Sequence, residues 1–412
     1  VIENPGSRRR RRRRLGRVDR VVGPLFAANP FDEMSAPAST PCRFKSARGT
    51  YNGVDRLSGL PSELLHRVMS FLPMPEAVRT SLLSPRWRYL WASTPYIRID
   101  HHDFMDDNEK MEKFGDRLLL LRDSTASLDE ARIIDHTVAS TTCTVWIRHV
   151  IMHKVRHLHV SGLGHLDSSA MPPSNHLKTI RLQFVILGHG LFRPLNYDCR
   201  VLQLLQLEDC VLVDLKEISS RSLKALHIIN CLITGSILIC ASNLTHLSIL
   251  DMHSHSGAIL VRDLSSLVTA FVSVRTIEGH GLLDGLSHAT TLELHAPLPE
   301  RGLWICPMFS NLTSLVLGHC CMAADFNALL RILQRSPKLK ELTFKPERVQ
   351  CVRCMHSQST LPPSGAALSL GSHPCIERIK ISCSKEDPSV SVLVEALQPI
   401  VGDVKISIKH LY

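Results

Sequence analysis

The chain has 412 residues, 44% of them apolar and 21% charged, with a formal net charge of +10. That length holds two or three domains, and the balance is ordinary for a water-facing globular protein. No window approaches eighteen uninterrupted apolar residues, which excludes the signature of a spanning helix, and no cleavable secretory signal stands at the start.

The positive charge is concentrated in one place. Residues 1–54 hold twelve Lys or Arg, seven of them in the run at 8–14, against four acids. Of the chain's 48 basic and 38 acidic residues, 36 and 34 are left for everything else. A nucleic-acid surface needs a concentrated basic face, so no nucleic-acid partner is expected of the body. The stretch 1–54 is rich in Arg, Pro, Ala, Ser and Gly without periodicity and reads as a disordered basic tail. Its arginine run has two readings. One is a nuclear localisation signal. The other is a stretch outside the natural protein, since the first methionine is Met34. The thirteen cysteines follow no disulfide framework and read as reduced thiols of the nucleus or cytoplasm.

Residues 55–97 pack three short amphipathic pieces together. The first opens at Leu60 and Pro61, where a proline costs a helix little. Leu60, Leu64, Leu65, Val68 and Leu72 recur at helical spacing, and Pro73 and Pro75 stop the run. The second carries Ala77, Val78, Leu82 and Leu83 and ends at Ser84 and Pro85. The third contains Arg86, Trp87, Arg88, Tyr89, Leu90 and Trp91, closed by Pro95. A unit of about forty residues cannot bury this many large apolar side chains alone. The surplus points to a partner groove.

This segment resembles the F-box. The resemblance rests on Leu60-Pro61, Glu63-Leu64-Leu65, Phe71-Leu72-Pro73, the stretch Val78-Arg79-Thr80-Ser81, and the run from Arg86 to Trp91. It implies a Skp-type adaptor as partner and, through it, the cullin and RING subunits of an SCF ubiquitin ligase. The expected adaptor-binding residues are Leu60, Pro61, Leu64, Leu65, Val68, Leu72, Val78, Leu82, Trp87, Leu90 and Trp91.

Residues 98–154 read as a helical bridge. Phe114, Leu118, Leu119 and Leu121 suggest a helix, preceded by acids suited to its N-terminus. The Leu-Leu-Leu-Leu-Arg-Asp run at 118–123 and the later Trp146 are similar to plant F-box proteins with leucine-rich repeats.

From 155 to 346 the chain repeats apolar-x-x-apolar-x-apolar. Examples are Leu202/Leu205/Leu207, Leu223/Leu226/Ile228 and Leu244/Leu247/Ile249. The central residues Leu158, Ile180, Leu205, Leu226, Leu247, Ala270, Leu292, Leu315 and Leu342 follow one another at steps in the twenties. That period and pattern identify leucine-rich repeats. Cys210, Cys231, Met252 and Cys320 take the place where the repeat carries Asn or Cys. Steps near twenty-two leave too little room for full βαβ crossovers, which need about thirty residues. One return segment, with Phe326, Leu329, Leu330 and Leu333, reads as helical. Residues 347–374 form an irregular insert. Residues 375–412 read as a terminal repeat and cap, with a short likeness to FBD-type endings. The expected fold class is α/β: a small helical F-box bundle, then a curved parallel sheet with helical or irregular returns.

Between the buried strand positions stand His159, Arg181, Gln206, His227, Ser248, Phe271, Glu293, Val316, Thr343 and Lys380. Gln206, His227, Ser248, Phe271 and Glu293 are the candidate target-binding residues, with Phe271 as apolar anchor. Cys351, Cys354 and His356 form one CxxC without a second pair, which is weak for zinc. His101 and His102 read as solvated, so no metal or cofactor is expected. No GxSxG elbow, P-loop, HExxH or GxGxxG occurs, and the chain reads as non-catalytic. The expectation is a substrate receptor of an SCF-type ligase, in nucleus or cytoplasm, with an unknown protein target and no membrane. Two alternatives stay open: a non-degradative scaffold, and a receptor that needs a small molecule.

Overall fold

The computed structural model describes residues 55–384 except 106, 137–140, 163, 255–257, 275–280, 297, 299–305, 319–321 and 346–374, and also 393–395, 397–398 and 404–411. The basic tail, Cys320, the insert and its Cys351, Cys354 and His356 lie outside the described residues.

Two short helices come first among the described residues, α1 (Ser62–Met69) and α2 (Met74–Arg79), each with a proline at its N-cap. The third amphipathic piece is a turn followed by a 3-10 segment, Leu90–Ser93.

Thirteen strands then form one parallel sheet: β1 (Tyr96–Asp100), β2 (Glu130–Asp135), β3 (His157–Gly162), β4 (Thr179–Gln183), β5 (Leu204–Glu208), β6 (Ala225–Ile229), β7 (His246–Ser254), β8 (Thr269–Val274), β9 (Thr291–His295), β10 (Ser314–Gly318), β11 (Glu341–Lys345), β12 (Arg378–Ser384) and β13 (Ile406–Leu411). Each pairs with the next in chain order. One unit per strand, stacked in order, is the solenoid the period foretold.

The repeat residues make the core. The three apolar positions of every unit from Val155/Leu158/Val160 to Ile376/Ile379/Ile381 are at most 5% exposed. Cys210, Cys231 and Met252 are buried beside them, as small or adaptable apolar groups. Burying one such side chain is worth about 1.5–3 kcal/mol.

The return route varies from unit to unit. Several units return by helices: α3 (Asn108–Leu121), α4 (Thr141–Met152), α5 (His189–Tyr197) and, after the five-residue α6 (Gly281–Gly285), α7 (Met322–Gln334). Three consecutive units return extended. Glu217–Ser219, Ile237–Cys240 and Ile259–Arg262 pair into a second parallel sheet. Extended chain covers about 3.3 Å per residue against 1.5 Å in a helix, so fewer residues span the same gap.

The solenoid starts earlier than the repeat pattern suggested. The segment read as a helical bridge contains β1 and β2 as well as α3 and α4. Leu128, Ala131 and Ile133 repeat the pattern with a small central residue. The first unit begins with Thr94, a polar residue, which hides the motif. Thr94 is 1% exposed because its hydroxyl donates to the Trp91 and Tyr96 carbonyls. The F-box therefore runs into the sheet with no spacer.

Two features noted in the sequence lock this junction. Trp146 is buried against Gly115, where a Cβ would come within 2.3 Å of the ring. The indole N–H donates to Asp116 at 2.9 Å. Arg122 is buried and donates to the Thr94 carbonyl at 2.6 Å; burial pushes its pKa down to about 10.

Candidate protein-interaction surfaces

The F-box closes its own small core. Leu65, Met69, Val78, Trp87, Leu90 and Trp91 are all buried. Trp87 can be so because its indole N–H donates to the Ser58 hydroxyl at 3.0 Å, which also contacts the Ser84 hydroxyl at 3.0 Å. Arg86 donates to the carbonyls of Ser58 and Leu60, holding the entry segment against the last turn. Tyr96, first residue of β1, donates its hydroxyl to the His66 carbonyl and ties the bundle to the sheet.

The residues expected at the adaptor surface differ in exposure. Leu65, Val78, Trp87, Leu90 and Trp91 point inward and are buried in the chain by itself. Leu65 and Met69 line one stripe of α1, while Leu64 and Val68 line the neighbouring stripe and face out, 51% and 41% exposed. Pro61 and Leu82 are exposed, and Leu60 and Leu72 are half-buried. Phe71, Leu83 and Tyr89 were not among the expected contacts, yet all three are exposed, Phe71 by 74%. The signal for Phe71 was its spacing: Leu64, Val68 and Phe71 continue one i, i+4, i+7 stripe. The Arg67 guanidinium lies 5.3 Å from the Phe71 ring centroid.

The second surface is the open side of the main sheet. The ladder aligns Arg98, Arg132, His159, Arg181, Gln206, His227, Ser248, Phe271, Glu293, Val316, Thr343, Lys380 and Ser407 in one row. Gln206, His227, Ser248, Phe271 and Glu293 are thus neighbours, each half-buried. The row changes character along its length. Arg132 and Arg181 flank His159, and burial, then those two charges, hold its pKa below the usual imidazole value. Phe271 stacks on His295, centroids 5.3 Å apart. His295 Nε2 lies 2.8 Å from Glu293 Oε1, which also accepts from Lys345 at 2.6 Å. Burial would raise the Glu293 pKa, but these two bonds outweigh it and the net shift is downward.

The F-box domain family matches residues 57–98. An F-box/FBD/LRR-repeat protein of Arabidopsis thaliana is 28% identical over 358 residues, covering 71% of this chain and 79% of that protein. An F-box/LRR-repeat protein of the same plant is 25% identical over 71% of this chain and 91% of its own length. An FBD-associated F-box protein is 34% identical over a shorter stretch, 36% of this chain and 34% of its own length. This is a plant-type F-box protein with leucine-rich repeats. In the F-box/LRR protein the helical module and the sheet are continuous in sequence, joined at Thr94 to Tyr96, so the two surfaces belong to one stacked unit. No helix among its described residues is long and apolar enough to cross a membrane.

Proposed function

We propose that this F-box/LRR protein is the substrate receptor of an SCF-type cullin ubiquitin ligase. The F-box binds a Skp-type adaptor, and through it the cullin and RING subunits, while the open face of the sheet binds a protein target. The observation that carries the reading is the exposed apolar set Leu64, Val68, Phe71, Leu82 and Leu83 on a module whose own core is already closed. Large apolar side chains left in water on so small a unit are matched to a partner groove.

The mechanism is proximity. The receptor holds a target lysine near a ubiquitin carrier bound elsewhere in the complex. A bimolecular encounter becomes intramolecular, and the receptor needs no catalytic side chain for it. The working place of such a complex is the nucleus or cytoplasm.

The test is co-purification of the full chain with a Skp-type adaptor. Leu64→Asp with Val68→Asp places charge on exposed positions and should abolish adaptor binding while the solenoid melts as in the wild type. Adaptor binding at unchanged affinity would sink the assignment. Ubiquitination of co-purifying proteins, compared between wild type and this variant, then separates a degradation receptor from a scaffold.

A further inference from the structure

Three histidines from the first two repeats converge at one end of the main sheet. His101 and His102 open a 3-10 turn, His101–Phe104, that leaves β1, and His136 directly follows β2. β1 and β2 are parallel and in register, Asp100 beside Ile134, so their exits emerge at one end of the sheet. One nitrogen from each of the three rings lies within 4.8 Å of the other two. The ring centroids are 3.8 Å apart for His101 and His102, 4.7 Å for His101 and His136, and 6.0 Å for His102 and His136. His101 is buried, His136 is half-buried and His102 is exposed, so the cluster has a covered floor and a side open to solvent.

Asp100 Oδ1 is 3.9 Å from His101 Nδ1 and accepts from the His102 backbone N–H at 3.2 Å, while Arg98 donates to Oδ2 of the same carboxylate at 2.8 Å. A carboxylate beside a ligating imidazole is the usual outer partner that orients it. Asp135 is buried one residue before His136 and accepts from the Cys143 thiol at 3.4 Å. Phe184 closes the far side of His136, centroids 6.2 Å apart.

We propose that His101, His102 and His136 form a three-histidine site for a zinc-class divalent transition ion, with its fourth position open to water or an incoming side chain. Imidazole donors with no sulfur suit zinc, copper or nickel, and three histidines with an open place form a known zinc geometry. Tetrahedral ligands about 2.0–2.1 Å from zinc stand about 3.4 Å apart. Closing from 4.8 Å asks for small χ rotations, and the exposed His102 has the room for them. Such an ion would fasten the exits of the two repeats nearest the F-box. This inference does not depend on the ligase reading.

The test uses the full chain, stripped with a chelator and titrated with Co2+ as spectroscopic probe, then with Zn2+ in competition. The expected result is one equivalent with intense tetrahedral d–d absorption, displaced by Zn2+, and a higher melting temperature with Zn2+. His102→Gln and His136→Gln should each remove the absorption and the thermal shift. Because His102 is exposed, its variant should keep the wild-type circular dichroism spectrum, so lost binding is not lost folding. Unchanged absorption in both variants would overturn the site, as would a weak octahedral spectrum alone. So would a sulfur-to-cobalt band abolished by Cys351→Ser with Cys354→Ser, since the metal would then sit on those thiolates.

Discussion

The His295 ring lies over the Phe271 ring with centroids 5.3 Å apart and planes inclined by 26°. The two residues come from adjacent strands and sit diagonally across the ladder, since Phe271 pairs with Glu293. Phe271 is thus turned to the open face, as its place between Ala270 and Val272 required, but it is partly buried, with His295 stacked beside it. The pair is a preformed aromatic platform. A rigid stacked pair loses little conformational freedom when a partner lands on it, which suits an anchor. Phe271→Asp should remove the target from affinity-purified complexes and leave the adaptor in place. His295→Ala should weaken target capture less, because it loosens the anchor without removing it. If both variants retain every co-purifying protein, target capture lies elsewhere on the chain.

Glu293 gives a pH signature to the same patch. Its folded pKa lies below the ordinary carboxylate value, held there by Lys345 and His295 against the opposing effect of burial. A depressed carboxylate stabilises the fold above its unfolded pKa, about 4.3, and loses that contribution as pH falls through the folded value. Urea midpoints of wild type and Glu293→Gln should therefore differ most above about pH 4.3 and converge below it. A difference that grows on acidification would refute this account.

The stacked leucines carry the stability of the sheet. Leu226, Leu247 and Leu315 are at most 2% exposed and pair with the equivalent residue of the next strand. Each Leu→Ala should cost about 2–5 kcal/mol, read from denaturant unfolding. Costs below about 1 kcal/mol at all three would mean the core is looser than its burial indicates.

A local misfit should be correctable. Several units carry a residue with positive φ five places after the strand's first residue: Asp209 at 51°, Asn230 at 50° and Asp251 at 48°, the first two just past the strand and the third within β7. The backbone N–H of Asp209 and of Asn230 then donates to the next unit, at 3.0 and 2.8 Å. Asp and Asn tolerate this left-handed conformation; a bulky ring does not. Phe184 takes the same place at 56° and is 40% exposed. Phe184→Asn should raise stability by about 0.5–1 kcal/mol. A lower melting temperature would show that the Phe184 contact with His136 outweighs the backbone strain.

The sequence alone determined the solenoid and its register. A step in the low twenties and a spacing of three then two between apolar residues leave one arrangement that buries them all, so Leu205, Leu226 and Leu247 had to align. It determined the F-box for a similar reason, because prolines fix where the helices stop. Which F-box residues face out was not legible in the same way. Leu64 and Leu65 are chemically identical neighbours, and only the packing of Trp87 and Met69 decides that Leu65 goes in and Leu64 stays out. The first strand was hidden because Thr94 fills a buried place that the pattern expects to be apolar. A hydroxyl becomes a core group only once carbonyls are folded around it, as those of Trp91 and Tyr96 are here. The histidine cluster lies furthest from the sequence. His102 and His136 are separated by α3 and most of a repeat, and no spacing rule links them. Parallel pairing of β1 and β2 brings their exits together, and these are the two strands that the repeat pattern did not reveal.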